Sequence, residues 1–336
     1  MGIYLNPGTD GFVKTINSEI YIDKTGLLNY TNRVINTLQG YLCVSRPRRF
    51  GKSVTATMLA AYYSCECDSK ELFAPFEIAK SPDFETYLNQ YDTIFLNMQE
   101  FLSQSQNMDD MLALIRKSVL WELLEKYLDF LRDLLKDKAY IHLAYMTGIL
   151  PIKKHGTHSA LNMFDEFSML NPGPLASYVG FTENEVSALC QNYKMDLSEI
   201  KNWYDGYSFS DTLSIYSPRS VINSMLLKKI GNYWNQTKTF EALQVYIDMN
   251  FDSLKDDILS MIAGENVPVN TGSFTNDMTT FRTEDDVLTL LIHLGYLSYD
   301  NINKCVFIPN EEVRSEYINA VSVSDWGEVS KALIMM

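Results

Sequence analysis

Apolar residues along this chain switch between two periods, and each switch marks an element. The opening reads as a short hairpin, GFVK at 11–14 followed by EIYI at 19–22. Asp23 is then placed to cap a helix that starts near Lys24 and carries Leu27, Leu28 and Tyr30. The run YLCVS at 41–45 is short and apolar, the signature of a buried strand. Residues 46–52 make the turn after it, and from Ser53 to Tyr63 the apolar positions Met58, Leu59 and Tyr62 recur at helical spacing. A second buried strand is expected over 93–98. An amphipathic helix follows over 108–126, with more helix over 128–135, and then a third strand over 140–146 that ends in Thr147 and Gly148. Strands alternating with helices predict an α/β fold, a parallel sheet with helices on both faces.

The texture changes at the breaker cluster NPGP, 171–174, after which the pattern is mostly helical and rich in Tyr and Trp. Near the end, an amphipathic helix over 284–294 is followed by two short strands, 296–299 and 304–308, and by a helix from Glu311. That order is winged-helix-like. Three domains are therefore expected: 1–170 holding the sheet, a helical subdomain over 171–280 and the winged-helix-like segment over 281–336.

Composition narrows the class without changing this layout. At 336 residues, 46% apolar and 21% charged, the chain has the make-up of an ordinary soluble globular protein. No run approaches the roughly 18–20 apolar residues of a membrane span, and the first residues lack a signal peptide's basic and apolar regions. A net charge of −14 argues against broad binding to DNA or acidic membranes. The five cysteines, at 43, 65, 67, 190 and 305, form no zinc or redox spacing, so reduced thiols in a cytoplasmic compartment are expected.

The candidate chemistry lies at 45–53, SRPRRFGKS. Its second half matches G-x-x-x-x-G-K-[ST], and Arg46 occupies the first glycine position. Strand, loop and helix in succession are the context such a loop requires. Backbone amides from Arg49 through Phe50 and Gly51 to Ser53 line an anion nest at a helix N-terminus. Gly51 permits close backbone approach, Lys52 reaches the β- and γ-phosphates, and the Ser53 hydroxyl ligates Mg²⁺. Arg46, Arg48 and Arg49 add positive charge. ATP with Mg²⁺ is the expected ligand.

The same nine residues resemble the loop of the bacterial AAA-ATPase-like proteins, P-loop NTPases usually followed by a PD-(D/E)XK nuclease domain. Other segments are similar to that family's motifs: YIDKT at 21–25, GFTENEV at 180–186, WYDGY at 203–207 and IYSPRSV at 215–221. The resemblance implies ATP hydrolysis. It also implies an acidic Walker B strand between the long helix and the strand at 140–146, which the sequence near 127 does not supply. Asp165 and Glu166 follow too short an apolar stretch to replace it. The sheet domain is therefore expected to be shortened near 127, with phosphate binding retained and hydrolysis weak. No nuclease constellation is found before Met336.

Several other residues admit two readings. Thr147 is a tentative sensor of the γ-phosphate or a strand-end cap. Lys153 and Lys154 face phosphates or solvent. His155 and His158 lack a third metal ligand. Trp203, Tyr204 and Tyr207 form a stacking platform or an aromatic core. Arg219 is an arginine finger or a structural ion-pair partner. The alternative function is a non-catalytic interaction or DNA-binding module that uses the C-terminal segment.

Overall fold

The computed structural model describes residues 4, 6–98, 141–151, 163–209, 213–234, 253–272, 274, 281 and 283–323. The helices expected over 108–126 and 128–135, together with Lys153, Lys154, His155 and His158, lie outside the described residues. The fold is mixed α/β with a parallel three-stranded sheet, consistent with a P-loop NTPase-like α/β fold. Two compact units divide the chain. One comprises 1–43, 52–147 and 154–166; the other comprises 44–51, 148–153 and 167–336. Among the described residues, no helix is long and apolar enough to cross a membrane.

The first unit opens with a helix, α1 (Asp10–Ile16), where a hairpin is expected. Phe12 explains the difference. It is buried, stacked on Phe73 at 5.1 Å and edge-on to Tyr21 at 6.0 Å. A helix places this ring in that cluster while Asp10 and Lys14 complement the helix ends. α2 (Gly26–Val34) begins two residues later than expected. The Asp23 carboxylate accepts the N–H of Thr25 and the N–H of Glu77, each at 2.8 Å, and so ties the entry of α2 to a distant turn.

β1 (Tyr41–Ser45) and α3 (Lys52–Tyr63) fall where the periodicity places them. α3 buries Met58, Leu59, Tyr62 and Tyr63. The Tyr62 hydroxyl donates to the Phe84 carbonyl at 2.8 Å, and the Tyr63 hydroxyl donates to Asn32 Oδ1 at 2.7 Å. Short helices α4 (Lys70–Phe73) and α5 (Phe84–Tyr87) follow. The strand expected over 93–98 does not form a ladder. Its pairing is irregular, with Thr93 accepting from Asn6 N–H and Phe95 donating to Tyr4. None of its apolar side chains is buried and Ile94 is exposed, so the burial that would fix a strand is missing.

β2 (Ala144–Gly148) lies later than expected, and β3 (Asp165–Phe167) completes a sheet of order β2-β1-β3.

The second unit holds more strand than expected. β4 (Phe181–Thr182) leads into α6 (Glu183–Tyr193), α7 (Leu197–Tyr204), β5 (Tyr207–Phe209), β6 (Leu213–Tyr216) and α8 (Pro218–Leu227). The three strands form an antiparallel sheet of order β4-β6-β5. α9 (Leu254–Ile262) and β7 (Val267–Pro268) come next. α10 (Glu284–Leu294), β8 (Ser298–Asp300), β9 (Cys305–Phe307) and α11 (Glu311–Val323) then reproduce the expected helix, two strands and helix. β7 adds an unexpected third strand to that hairpin, giving the order β7-β9-β8. Of the first-turn acids of α10, Asp286 serves the helix itself by accepting the N–H of Thr283 at 3.3 Å, while Asp285 accepts the N–H of Asn270 at 3.0 Å and Glu284 accepts from the Ser253 hydroxyl.

Candidate functional site

β1 delivers the chain into the loop at 46–51, and α3 receives it at Lys52. Two residues turn the loop through left-handed backbone, Arg49 at φ 73° and Gly51 at φ 85°. Glycine adopts that conformation without a steric cost, and a Cβ placed at Gly51 would meet nothing within 4 Å. The loop backbone is therefore open at Gly51. Lys52 is half-buried at the N-terminus of α3, and Ser53 in its first turn is exposed. Arg48 is exposed as well.

The chain passes from one unit to the other between Gly51 and Lys52. In the second unit, Arg46 is fully buried at 0% exposure. Its Nη1 donates to the carbonyls of Ser45 at 2.9 Å, Ser168 at 3.0 Å and Phe167 at 3.3 Å, and its guanidinium lies over the Phe209 ring at 4.8 Å. Those contacts direct the side chain into the protein as an anchor for β1 and the segment after β3. Phe50 is buried and meets the Tyr207 ring edge-on at 5.3 Å. Tyr207 is itself buried and donates its hydroxyl to the Gly295 carbonyl at 2.6 Å. Tyr204 is also fully buried, with its hydroxyl bonded to Gly231. Both tyrosines of the WYDGY segment are thus aromatic core beneath the loop and not a stacking platform.

Arg49 turns the other way. Its Nη1 donates to the carbonyls of Tyr233 at 2.5 Å and Trp234 at 2.6 Å. Burial lowers its pKa, helped by nearby Arg219, while Glu312 and Glu316 oppose that shift. Glu312 is 1% exposed and Glu316 0%. Burial pushes the Glu312 carboxyl up to about 7, against the N–H groups of Tyr233 and Trp234, the Ser220 hydroxyl and the Arg49 charge. Burial raises Glu316 likewise, opposed by Asn232 and Arg49. Sequence reasoning did not single out this pair. The available signal was their spacing: like charges at i and i+4 on one helix face repel unless something else occupies that face.

In the first unit, Thr55 in the first turn of α3 donates to the Lys52 carbonyl at 2.7 Å and meets the Tyr145 hydroxyl at 3.3 Å. Tyr145 and Thr147 are two residues apart on β2 and share a face of it. Asp165 and Glu166 lie in β3, beside β1. Among the described residues, no group of three His, Cys, Asp or Glu side chains is arranged to hold a metal ion. Arg219 is exposed at the start of α8. A cleft of about 410 Å³ in the second unit is lined by Lys201, Asp205, Met261, Ile308, Glu311 and Arg314. Its cations are already engaged, Lys201 with Glu183 at 2.9 Å and Arg314 with Glu311 at 3.5 Å.

Comparison with known proteins covers part of the chain. Residues 7–127 match the AAA-ATPase-like family, described as predicted AAA-ATPase. An uncharacterized protein in the vnfD 5′ region of Azotobacter chroococcum mcd 1 is 27% identical over 124 residues, which are 35% of this chain and 23% of that protein. The chain thus covers less than a quarter of that relative's length. No solved structure matches the chain.

Proposed function

We propose that the chain, whose residues 7–127 match the AAA-ATPase-like family, binds ATP with Mg²⁺ through the loop at 45–53. The observation that carries this reading is the open backbone at Gly51, immediately before a lysine and a serine at the N-terminus of a twelve-residue helix. Loop amides and the helix dipole favour a phosphate there. Lys52 supplies a charge for the β- and γ-phosphates, and the exposed Ser53 hydroxyl supplies one Mg²⁺ ligand, the remainder coming from the nucleotide and water. Bound Mg²⁺ would neutralise charge on the phosphates. Exposed Arg48 adds to the local field. Arg46 and Phe50 act through the fold, one anchoring β1 and the other seating the loop on Tyr207. Thr147, on the same strand face as Tyr145, is the sensor candidate. Because the sequence supplies no acidic Walker B strand, binding is expected to exceed turnover.

Calorimetric titration with ATP-Mg²⁺ tests the reading. Wild type should bind, and Lys52→Ala should lose about 30-fold in affinity or more, the scale of a charge-assisted hydrogen bond to phosphate. Absence of binding by wild type, or equal binding by the variant, overturns it.

A second reading rests on the element order α10, β8, β9, α11, which is that of a winged helix. Glu311 and Glu312 open α11, and its Val313, Tyr317 and Ala320 are buried, so little of α11 is free to enter a groove. Salt-dependent binding of duplex DNA that survives Lys52→Ala would favour this reading instead.

A further inference from the structure

Arg49 belongs to the loop by sequence, yet its side chain spans 184 and 185 residues to reach the backbone of Tyr233 and Trp234. The opposite side of that short segment is held by α11. Glu312 Oε1 accepts the N–H of Tyr233 at 2.7 Å. The Asn232 amide donates to Ser315 Oγ at 2.7 Å, to the Glu312 carbonyl at 3.3 Å and to the Glu316 carboxyl. The Tyr204 hydroxyl fixes Gly231 just before it, donating at 2.9 Å and accepting at 3.0 Å. Tyr233 therefore carries an acid on its N–H and an arginine on its carbonyl. Hydrogen bonds with a charged partner are the stronger ones.

We infer that the buried pair Glu312 and Glu316 is a positioning element for the phosphate loop: through residues 232–234 it holds Arg49, and with Arg49 the left-handed turn that precedes Gly51. The backbone supplies the reason such a hold is needed. A non-glycine residue at φ 73° is strained and persists where its surroundings over-determine it. Two consecutive carbonyl acceptors on the Arg49 side chain provide that constraint. Only the consequence for phosphate binding rests on the proposed nucleotide function; the hold on the loop does not.

The arrangement also has a pH signature. Among the described residues, Arg48, Arg49, Arg219, Glu316 and the hydroxyls of Tyr204, Tyr207 and Tyr233 are charged and titratable groups that act on this region. Glu312 ionises near neutrality, so its bond to Tyr233 N–H and its attraction for Arg49 strengthen as pH rises through about 7.

Hydrogen exchange of the ligand-free full chain, followed on peptides covering 44–51 at pH 6 and pH 8 and corrected for intrinsic exchange, tests the inference. Wild type should gain about tenfold protection in the loop between the two pH values, the scale of exchanging a neutral for a charge-assisted hydrogen bond. Glu312→Gln keeps an acceptor but no charge. It should stay at the low-pH level at both values, with protection in α1 unchanged. Should Glu312→Gln lose protection throughout the chain, Arg49→Gln replaces it and should expose the loop to the same extent. Equal loop protection in wild type and variant at both pH values overturns the inference, whether or not ATP binds. A parallel ATP-Mg²⁺ titration separates the two ideas. Loop protection that follows Glu312 without any ATP binding leaves the hold standing and removes the nucleotide reading. Where ATP binds, Glu312→Gln should weaken it about tenfold and flatten its pH dependence.

Discussion

Gly206 and Gly264 form a natural control pair for the conformation of the WYDGY segment. Both have left-handed backbone, at φ 100° and 95°. An alanine at either position carries a similar backbone strain, about 1–2 kcal/mol, and a similar opposing gain from a less flexible unfolded chain. Their surroundings differ. A Cβ at Gly264 meets nothing within 4 Å, whereas at Gly206 it would lie 1.9 Å from the Pro309 carbonyl oxygen and 2.6 Å from the carbonyl carbon. Backbone cannot rotate aside as a side chain does, so the 309–310 segment must move. Overpacking of that kind costs about 1–3 kcal/mol. Moving Asn310 also strains its bond to the Asp205 carbonyl, 2.6 Å, and its cap on Val313 N–H, 3.0 Å, worth about 1 kcal/mol. Gly264→Ala should therefore cost about 1–2 kcal/mol and Gly206→Ala about 3–6 kcal/mol. Urea unfolding followed by far-UV circular dichroism measures both against one baseline. Equal losses in the two variants would refute the steric argument, because the shared strain cancels in their difference.

Two further predictions concern buried polar groups of the second unit. His293 is 2% exposed and stacked on Phe274 at 5.6 Å, and burial pushes its imidazole from 6.5 down to about 4. The folded state then resists protonation, so a contribution of up to about 3 kcal/mol is present above pH 6.5 and is lost as pH falls towards 4. His293→Phe should flatten the stability profile across that window, and a profile as steep as wild type's would count against it. Tyr207→Phe keeps the ring against Phe50 but removes the 2.6 Å bond to Gly295. It should cost about 1–3 kcal/mol by leaving a buried carbonyl unpaired; an unfolding midpoint unchanged from wild type contradicts that.

Where a pattern is continuous and long, the sequence reads correctly. β1, α3, α10 and the start of α11 lie where the apolar pattern puts them, and β1, α3 and α10 each bury a continuous apolar run. The failures are short or depend on distant partners. β4, β5 and β6 are two to four residues each, too brief to display a period of two, and they lie within or beside segments chosen for resemblance. α1 displaced a hairpin because Phe12 finds Phe73 and Tyr21. The 93–98 stretch has strand composition, yet Ile94 is exposed and Phe95 and Leu96 are only half-buried.

The loop shows the same division at the scale of single residues. The places of Gly51, Lys52 and Ser53 are legible because they follow from a local strand, turn and helix. Arg46 and Arg49 are not, since a basic residue beside a phosphate motif reads as charge for the phosphate. Arg46 is absent from the residues with positive φ, so its backbone makes no demand for the glycine that usually stands there. The turn is made at 49 and 51 instead. An arginine at 46 is then free to send its side chain inward, where three buried carbonyls receive it. Losing the first glycine is in this light a relocation of the turn, coupled to an internal donor that joins β1 to residues 167 and 168. Arg49 makes the complementary link, to 233 and 234. The two arginines tie the loop to segments more than a hundred residues downstream, a dependence that no local window of sequence displays.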